Sequence, residues 1–88
     1  MITQKKQMLE GLALLERQID KALERHPEKH PSLEHSLTVI EEEFWELKQE
    51  LFKKKPSREE LLDEALDVAV TALRMVVDGE LALCAART

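Results

Sequence analysis

Apolar residues recur at spacings of three and four along most of this chain, which predicts helices rather than strands. Met8, Leu12, Leu15, Ile19 and Ala22 form one stripe, widened by Leu9 and Leu23, on a helix expected over about 4–25. Thr3 can cap that helix. His26-Pro27 ends it, because Pro disfavours helical geometry in the residue before it. A second helix is expected over 33–54, capped by Ser32, with Leu33, Leu37, Ile40, Phe44, Leu47 and Leu51 as its apolar seam. A third is expected over 58–78. It opens on Ser57-Arg58-Glu59-Glu60, a capping box, and stops at Gly79. Its apolar residues, from Leu61 to Val77, cover most of its circumference, so it must be buried on more than one side. The segment 80–88 is short and Ala-rich, and either adds a helical turn or two or frays. The expected fold is all-α, a single domain over 1–88.

The polar positions carry a second pattern. Glu43 and Glu46 lie three apart on the second helix, and Glu64 and Asp67 lie three apart on the third. Residues three apart share a helix face. Lys55-Pro56-Ser57 makes a short connection, so the two helices should be antiparallel neighbours. Glu46 stands ~12 Å of helix before that turn and Glu64 ~10.5 Å after it, at ~1.5 Å per residue. Glu46 is then level with Glu64, and Glu43 with Asp67. Glu43, Glu46 and Glu50 each precede a seam residue, so they are expected to flank the packed interface. Four carboxylates meeting there would repel one another unless a positive group sat among them. Hard divalent cations such as Mg²⁺ take oxygen ligands of this kind.

Composition narrows the classes. Hydrophobic residues are 43% and charged residues 35%, with two Gly and three Pro, which suits a soluble helical protein. The net charge of −5 argues against nucleic-acid binding through a basic surface. A small phosphorylated substrate carried by a metal is compatible with it. The one cysteine, Cys84, allows no internal disulfide, as expected of a cytoplasmic protein. The first residues have no apolar core like a signal peptide, and no run is long enough to span a membrane. A chain of 10.2 kDa buries a modest core alone, so oligomerisation is a natural source of further burial.

Other groups have bland and sharp readings. His26, His30 and His35 cross a Pro-broken connector and fit no zinc spacing, so solvated loop histidines are expected. Lys53, Lys54 and Lys55 suit a helix C-terminus, or draw a polyphosphate toward the acids. Glu60 either completes the capping box or extends the acidic cluster opposite Glu50.

Glu42-Glu43-x-x-Glu46, then seventeen residues, then Glu64-x-x-Asp67 resembles the EExxE…ExxD pattern of the MazG-like, all-α nucleoside triphosphate pyrophosphohydrolases. His30-Pro31, Val39-Ile40, Glu46-Leu47 and the run from Glu64 to Arg74 are similar to the small phage and prophage-type members. The resemblance covers roughly 30–79. It implies a four-helix-type bundle completed by dimerisation, with dimers in some members paired into tetramers. It also implies Mg²⁺-dependent hydrolysis of a (deoxy)nucleoside triphosphate to monophosphate and pyrophosphate, with Mn²⁺ as a substitute. Carried over, Glu43, Glu46, Glu64 and Asp67 are the metal ligands. Glu42 either ligates or orients the attacking water. Such catalysis needs positioning and charge neutralisation and no covalent nucleophile. Arg74 pairs with phosphate or with a carboxylate. The chain departs from the family in having no long fourth helix and no Tyr, which leaves base recognition to Trp45 or to a partner subunit. Lys53 and Arg74 complete the expected substrate contacts. The competing class is a non-catalytic oligomeric helical module, regulatory or nucleotide-binding.

Overall fold

The computed structural model describes residues 3–86, with side chains through Leu83. Residues 87–88 and the Cys84 side chain lie outside what is described. The chain forms α1 (Gln4–Arg25), α2 (Leu33–Leu51), α3 (Arg58–Asp78) and α4 (Leu81–Ala86), with no strand among the described residues. None of these helices is long and apolar enough to cross a membrane.

Each long helix starts on a hydroxyl cap. Thr3 accepts from the Lys6 N–H at 3.1 Å, Ser32 from His35 at 3.0 Å and Ser57 from Glu60 at 3.2 Å. Each bond satisfies one of the backbone donors that a helix leaves free in its first turn. The second half of the box at Ser57 is made differently from the expectation. The Ser57 N–H donates to Glu50 Oε2 at 3.0 Å, so the carboxylate comes from α2 rather than from Glu60. The same Glu50 accepts from Lys53 Nζ at 2.8 Å and is buried. This explains why α2 stops at Leu51 and not at 54. Glu50 turns back to hold both sides of the Phe52–Pro56 turn, and the backbone tightens there, with the Lys53 N–H donating to Glu50 O at 3.4 Å.

α3 is the hub. α2 packs along it most extensively, α1 packs on it separately, α4 folds against its end, and α1 and α2 do not pack on each other. The face of α2 that meets α3 is rotated from the expected seam. Ser36, Val39, Ile40, Glu43, Leu47 and Glu50 are its buried or half-buried positions, whereas Leu33, Leu37, Phe44 and Leu51 are exposed. The acids Glu43 and Glu50 are therefore on the packed face rather than beside it. Of the apolar seam, Ile40 and Leu47 turn toward the packed face, and Leu37, Phe44 and Leu51 are left on the outside. α1 shows the same division. Met8, Leu9 and Leu12 are exposed, and its one fully buried residue is Gln18. Val70 on α3 is the only fully buried apolar side chain among the described residues.

Gly79 ends α3, but not by adopting a left-handed conformation. Its φ is −83°, and the residue with positive φ is Glu80, at 57°. Gly79 is needed for space, because a Cβ there would fall on the Leu33 side chain and 2.7 Å from the Met75 carbonyl oxygen. The N-terminus of α2 thus closes directly on the C-terminus of α3. Gly79→Ala makes the test. Removing a glycine at an ordinary φ stabilises by about 0.4–1 kcal/mol through the unfolded state. Overpacking here should outweigh that with a cost of about 1–3 kcal/mol. Thermal or urea unfolding should show net destabilisation, relieved only in part by adding Leu33→Ala because the Met75 carbonyl contact remains; a more stable Gly79→Ala variant would contradict the close approach.

Candidate metal centre

The antiparallel pairing of α2 and α3 puts acids from both helices at one level. One carboxylate oxygen each from Glu43, Glu64 and Asp67 lies within 4.8 Å of the others. All three residues are half-buried. Glu46 is exposed, but it stands close enough to raise the pKa of both Glu43 and Glu64. Asp63, which the apolar pattern did not single out, groups with Glu60 and Glu64 in an adjoining triple.

Two of these oxygens lack a donor. Glu43 Oε2 and Glu64 Oε2 are buried with no hydrogen-bond partner. A buried charged acceptor without a donor is costly. The carboxyls hold a proton more tightly than a free carboxyl does. Burial, followed by the charges of Glu46 and Asp67, pushes Glu43 up to about 7. Burial, followed by the same two charges, raises Glu64 as well. A proton on Glu43 can be shared with Glu46, which helps to raise it further. Hard oxygen donors, half-buried and short of hydrogen-bond donors, suit Mg²⁺ or Mn²⁺.

A third element reaches the acids from α1. Gln18 Nε2 donates to Asp63 Oδ1 at 2.9 Å and to Asp67 Oδ1 at 2.6 Å. The sequence held a signal for it. Gln18 sits three after Leu15 and four before Ala22, so it is a polar residue on the apolar stripe of α1.

Glu43 and Asp67, though not Glu64, form part of one wall of an open groove of about 870 Å³. Glu42, Glu43 and Asp67 line that wall, and Lys21, Arg25 and Lys29 line the rim. The connector between α1 and α2 closes one end. It is tied to α3 where the Glu28 carbonyl accepts from Arg74 at 2.6 Å and the His30 N–H donates to Asp78 at 2.9 Å. His30 is not a solvated loop histidine. Its Nδ1 lies 2.8 Å from Ser36 Oγ, and burial, then the nearby Arg74 charge, lowers its pKa.

The expected substrate contacts are placed apart from one another. Arg74 lines the groove, yet its guanidinium is engaged by Glu28 and lies 3.7 Å from Asp78. Lys53 is paired with Glu50 at 2.8 Å. Trp45 is 59% exposed, on the face of α2 opposite Glu43.

The shifted groups make stability depend on pH. Glu43 holds its proton more tightly folded than unfolded, so its contribution is full below 4.5, its ordinary value, and is lost as pH rises toward about 7. His30 acts oppositely, because the unfolded imidazole takes a proton first, and it subtracts stability as pH falls below 6.5, its ordinary value. Comparison with Glu43→Gln isolates the carboxyl. In chelator, the variant's melting temperature should gain on the wild type as pH rises from about 5 to 8. Parallel curves would show that Glu43 is not strained by its neighbours.

Comparison with protein-family models, with curated proteins and with solved structures gave no match in any of the three. The residues and their geometry therefore carry the functional reading.

Proposed function

We propose that this chain is a Mg²⁺-dependent nucleotide pyrophosphohydrolase of the MazG-like kind. It would cleave a nucleoside or deoxynucleoside triphosphate to the monophosphate and pyrophosphate. The observation that carries the reading is the pair of donorless carboxylate oxygens, on Glu43 and Glu64, in a cluster that opens on a cation-rimmed groove. A structural carboxylate is held by donors, as Glu50 is by Ser57 and Lys53. Glu43 and Glu64 each bury one oxygen that no donor holds.

In this reading Glu43, Glu64 and Asp67 hold the cation, and Glu46 completes the set from the solvent side. A bound divalent ion supplies charge neutralisation at phosphate and a more acidic water. Glu42, which lines the groove, would ligate the ion or orient that water. Lys21, Arg25 and Lys29 are exposed along the rim and make no ion pair among the described residues, which leaves them for phosphate oxygens. Arg74 holds the connector that shapes the groove's end, and Lys53 holds the α2–α3 turn. Base recognition falls to a surface outside the single-chain groove.

That surface belongs to a second copy in our reading. The chain exposes 7345 Å², against about 5,300 Å² expected for a compact protein of this mass. Its radius of gyration is 14.7 Å, against about 12 Å expected. The excess of about 2,000 Å² exceeds the roughly 800 Å² per partner of a standard interface. Leu37, Phe44, Trp45 and Leu51 on α2 supply one apolar face. Ile19, Leu23, Leu73 and Val77 line an apolar groove of about 250 Å³ between α1 and α3. Dimers, or dimers paired into tetramers, would cover both.

Three measurements follow. Mg²⁺ or Mn²⁺ should raise the melting temperature, by about 2.7 kcal/mol of stability at a hundred times Kd, and Asp67→Asn should weaken the effect. Light scattering at micromolar concentration should give a dimer or larger; a 10.2 kDa particle would refute the partner surface. Pyrophosphate release from a panel of nucleoside triphosphates should be lost in Glu46→Gln, with metal-free stability unchanged or raised because a repelling charge is gone. Intact hydrolysis in a destabilised Glu46→Gln would make Glu46 structural. Metal binding without any hydrolysis by the wild type would favour the non-catalytic module.

A further inference from the structure

Gln18 is 4% exposed and reaches the acidic centre from a helix that carries none of its carboxylates. The two hydrogens of its amide go to two different carboxylates, Asp63 at 2.9 Å and Asp67 at 2.6 Å. Asp63 and Asp67 are four apart on α3, hence adjacent on one face and mutually repelling. A donor between them offsets that repulsion. The amide does so without adding charge, whereas a Lys or Arg there would neutralise the centre against a cation. Both bonds to Gln18 go to Oδ1, so Oδ2 of Asp67 is left free of it.

We propose that Gln18 is a positioning residue for the divalent-cation site. It fixes the rotation of the Asp67 carboxylate so that this group stays gathered with Glu43 and Glu64. It also makes the docking of α1 on α3 part of the site, since no other α1 side chain is fully buried. The inference rests on the metal-site reading above, and Gln18 acts on the cation only through Asp67. Groups that orient a metal ligand in this way alter affinity by about 10–100-fold when removed.

Mn²⁺ titration followed by the electron paramagnetic resonance of the free ion tests this, together with melting curves in chelator. Gln18→Met keeps the side-chain length and removes both donors. Gln18→Lys keeps a donor and adds a positive charge. Gln18→Met should lower Mn²⁺ affinity about 10–100-fold. Gln18→Lys should lower it further while raising the melting temperature of the metal-free protein. A Gln18→Met protein that melts lower but binds Mn²⁺ within about twofold of wild type would make Gln18 a packing residue and overturn the inference. If Gln18→Met does not fold, Gln18→Lys decides alone, and wild-type Mn²⁺ affinity in it overturns the inference equally. Absence of Mn²⁺ binding by the wild type would instead remove the metal site itself, a result separable from failure of the variants alone.

Discussion

Carboxylates on the contact face of two packed helices must be offset by something, and each means this chain uses leaves a mark on the fold. Gln18 spends both amide hydrogens on Asp63 and Asp67, and that brings α1 onto α3. Glu43 and Glu64 have no such donor for one oxygen each, so burial and neighbouring charge drive them toward protonation. Glu46 stays in solvent, where its charge costs little, while it acts on both. Hydrogen bonds relieve one side of the cluster, and raised proton affinity marks the other. A divalent cation would relieve both at once, which is why an otherwise unfavourable arrangement reads as a site.

The same constraint explains the thin core. Polar residues occupy positions on α2 and α1 that apolar side chains would fill in an ordinary bundle: Ser36, Glu43 and Glu50 on one helix, and Gln18 on the other. Val70 is left as the one fully buried apolar side chain among the described residues. Meanwhile Phe44, Leu37 and Leu51 face outward. Burial that a single chain does not achieve is available between copies, at roughly 25 cal/mol per Å² of apolar area. The site and the proposed assembly are two consequences of one arrangement of the α2 surface.

The helices and the site were legible to different degrees. Thr3, Ser32 and Ser57 mark the three helix starts because capping is local chemistry. The level of Glu43 with Asp67 followed from counting residues on either side of Pro56. The facing of α2 did not follow. Apolar periodicity marks every surface that wants burial, and it does not say whether the partner is α3 or another molecule. The repeat from Leu33 to Leu51 is therefore divided: Ile40 and Leu47 are half-buried, whereas Leu37, Phe44 and Leu51 face outward. Gln18 is not legible from the pattern, because a polar residue in an apolar stripe looks like an interruption; its meaning needs Asp63 and Asp67, on a helix forty-five residues or more away. Glu50 replaced Glu60 in the Ser57 cap for the same reason, since a tertiary contact overrode a local motif. Gly79 was correctly a stop, for steric rather than conformational cause.

The chemistry proposed for this chain depends on Glu43, Glu64 and Asp67 binding one divalent cation. Crystals grown with Mn²⁺ and measured at a wavelength where manganese scatters anomalously test it most directly. An anomalous peak bonded to all three carboxylates at about 2.0–2.3 Å is expected, with Gln18 still on Asp67. Clear density for the three side chains and no manganese among them, at millimolar Mn²⁺, would contradict it.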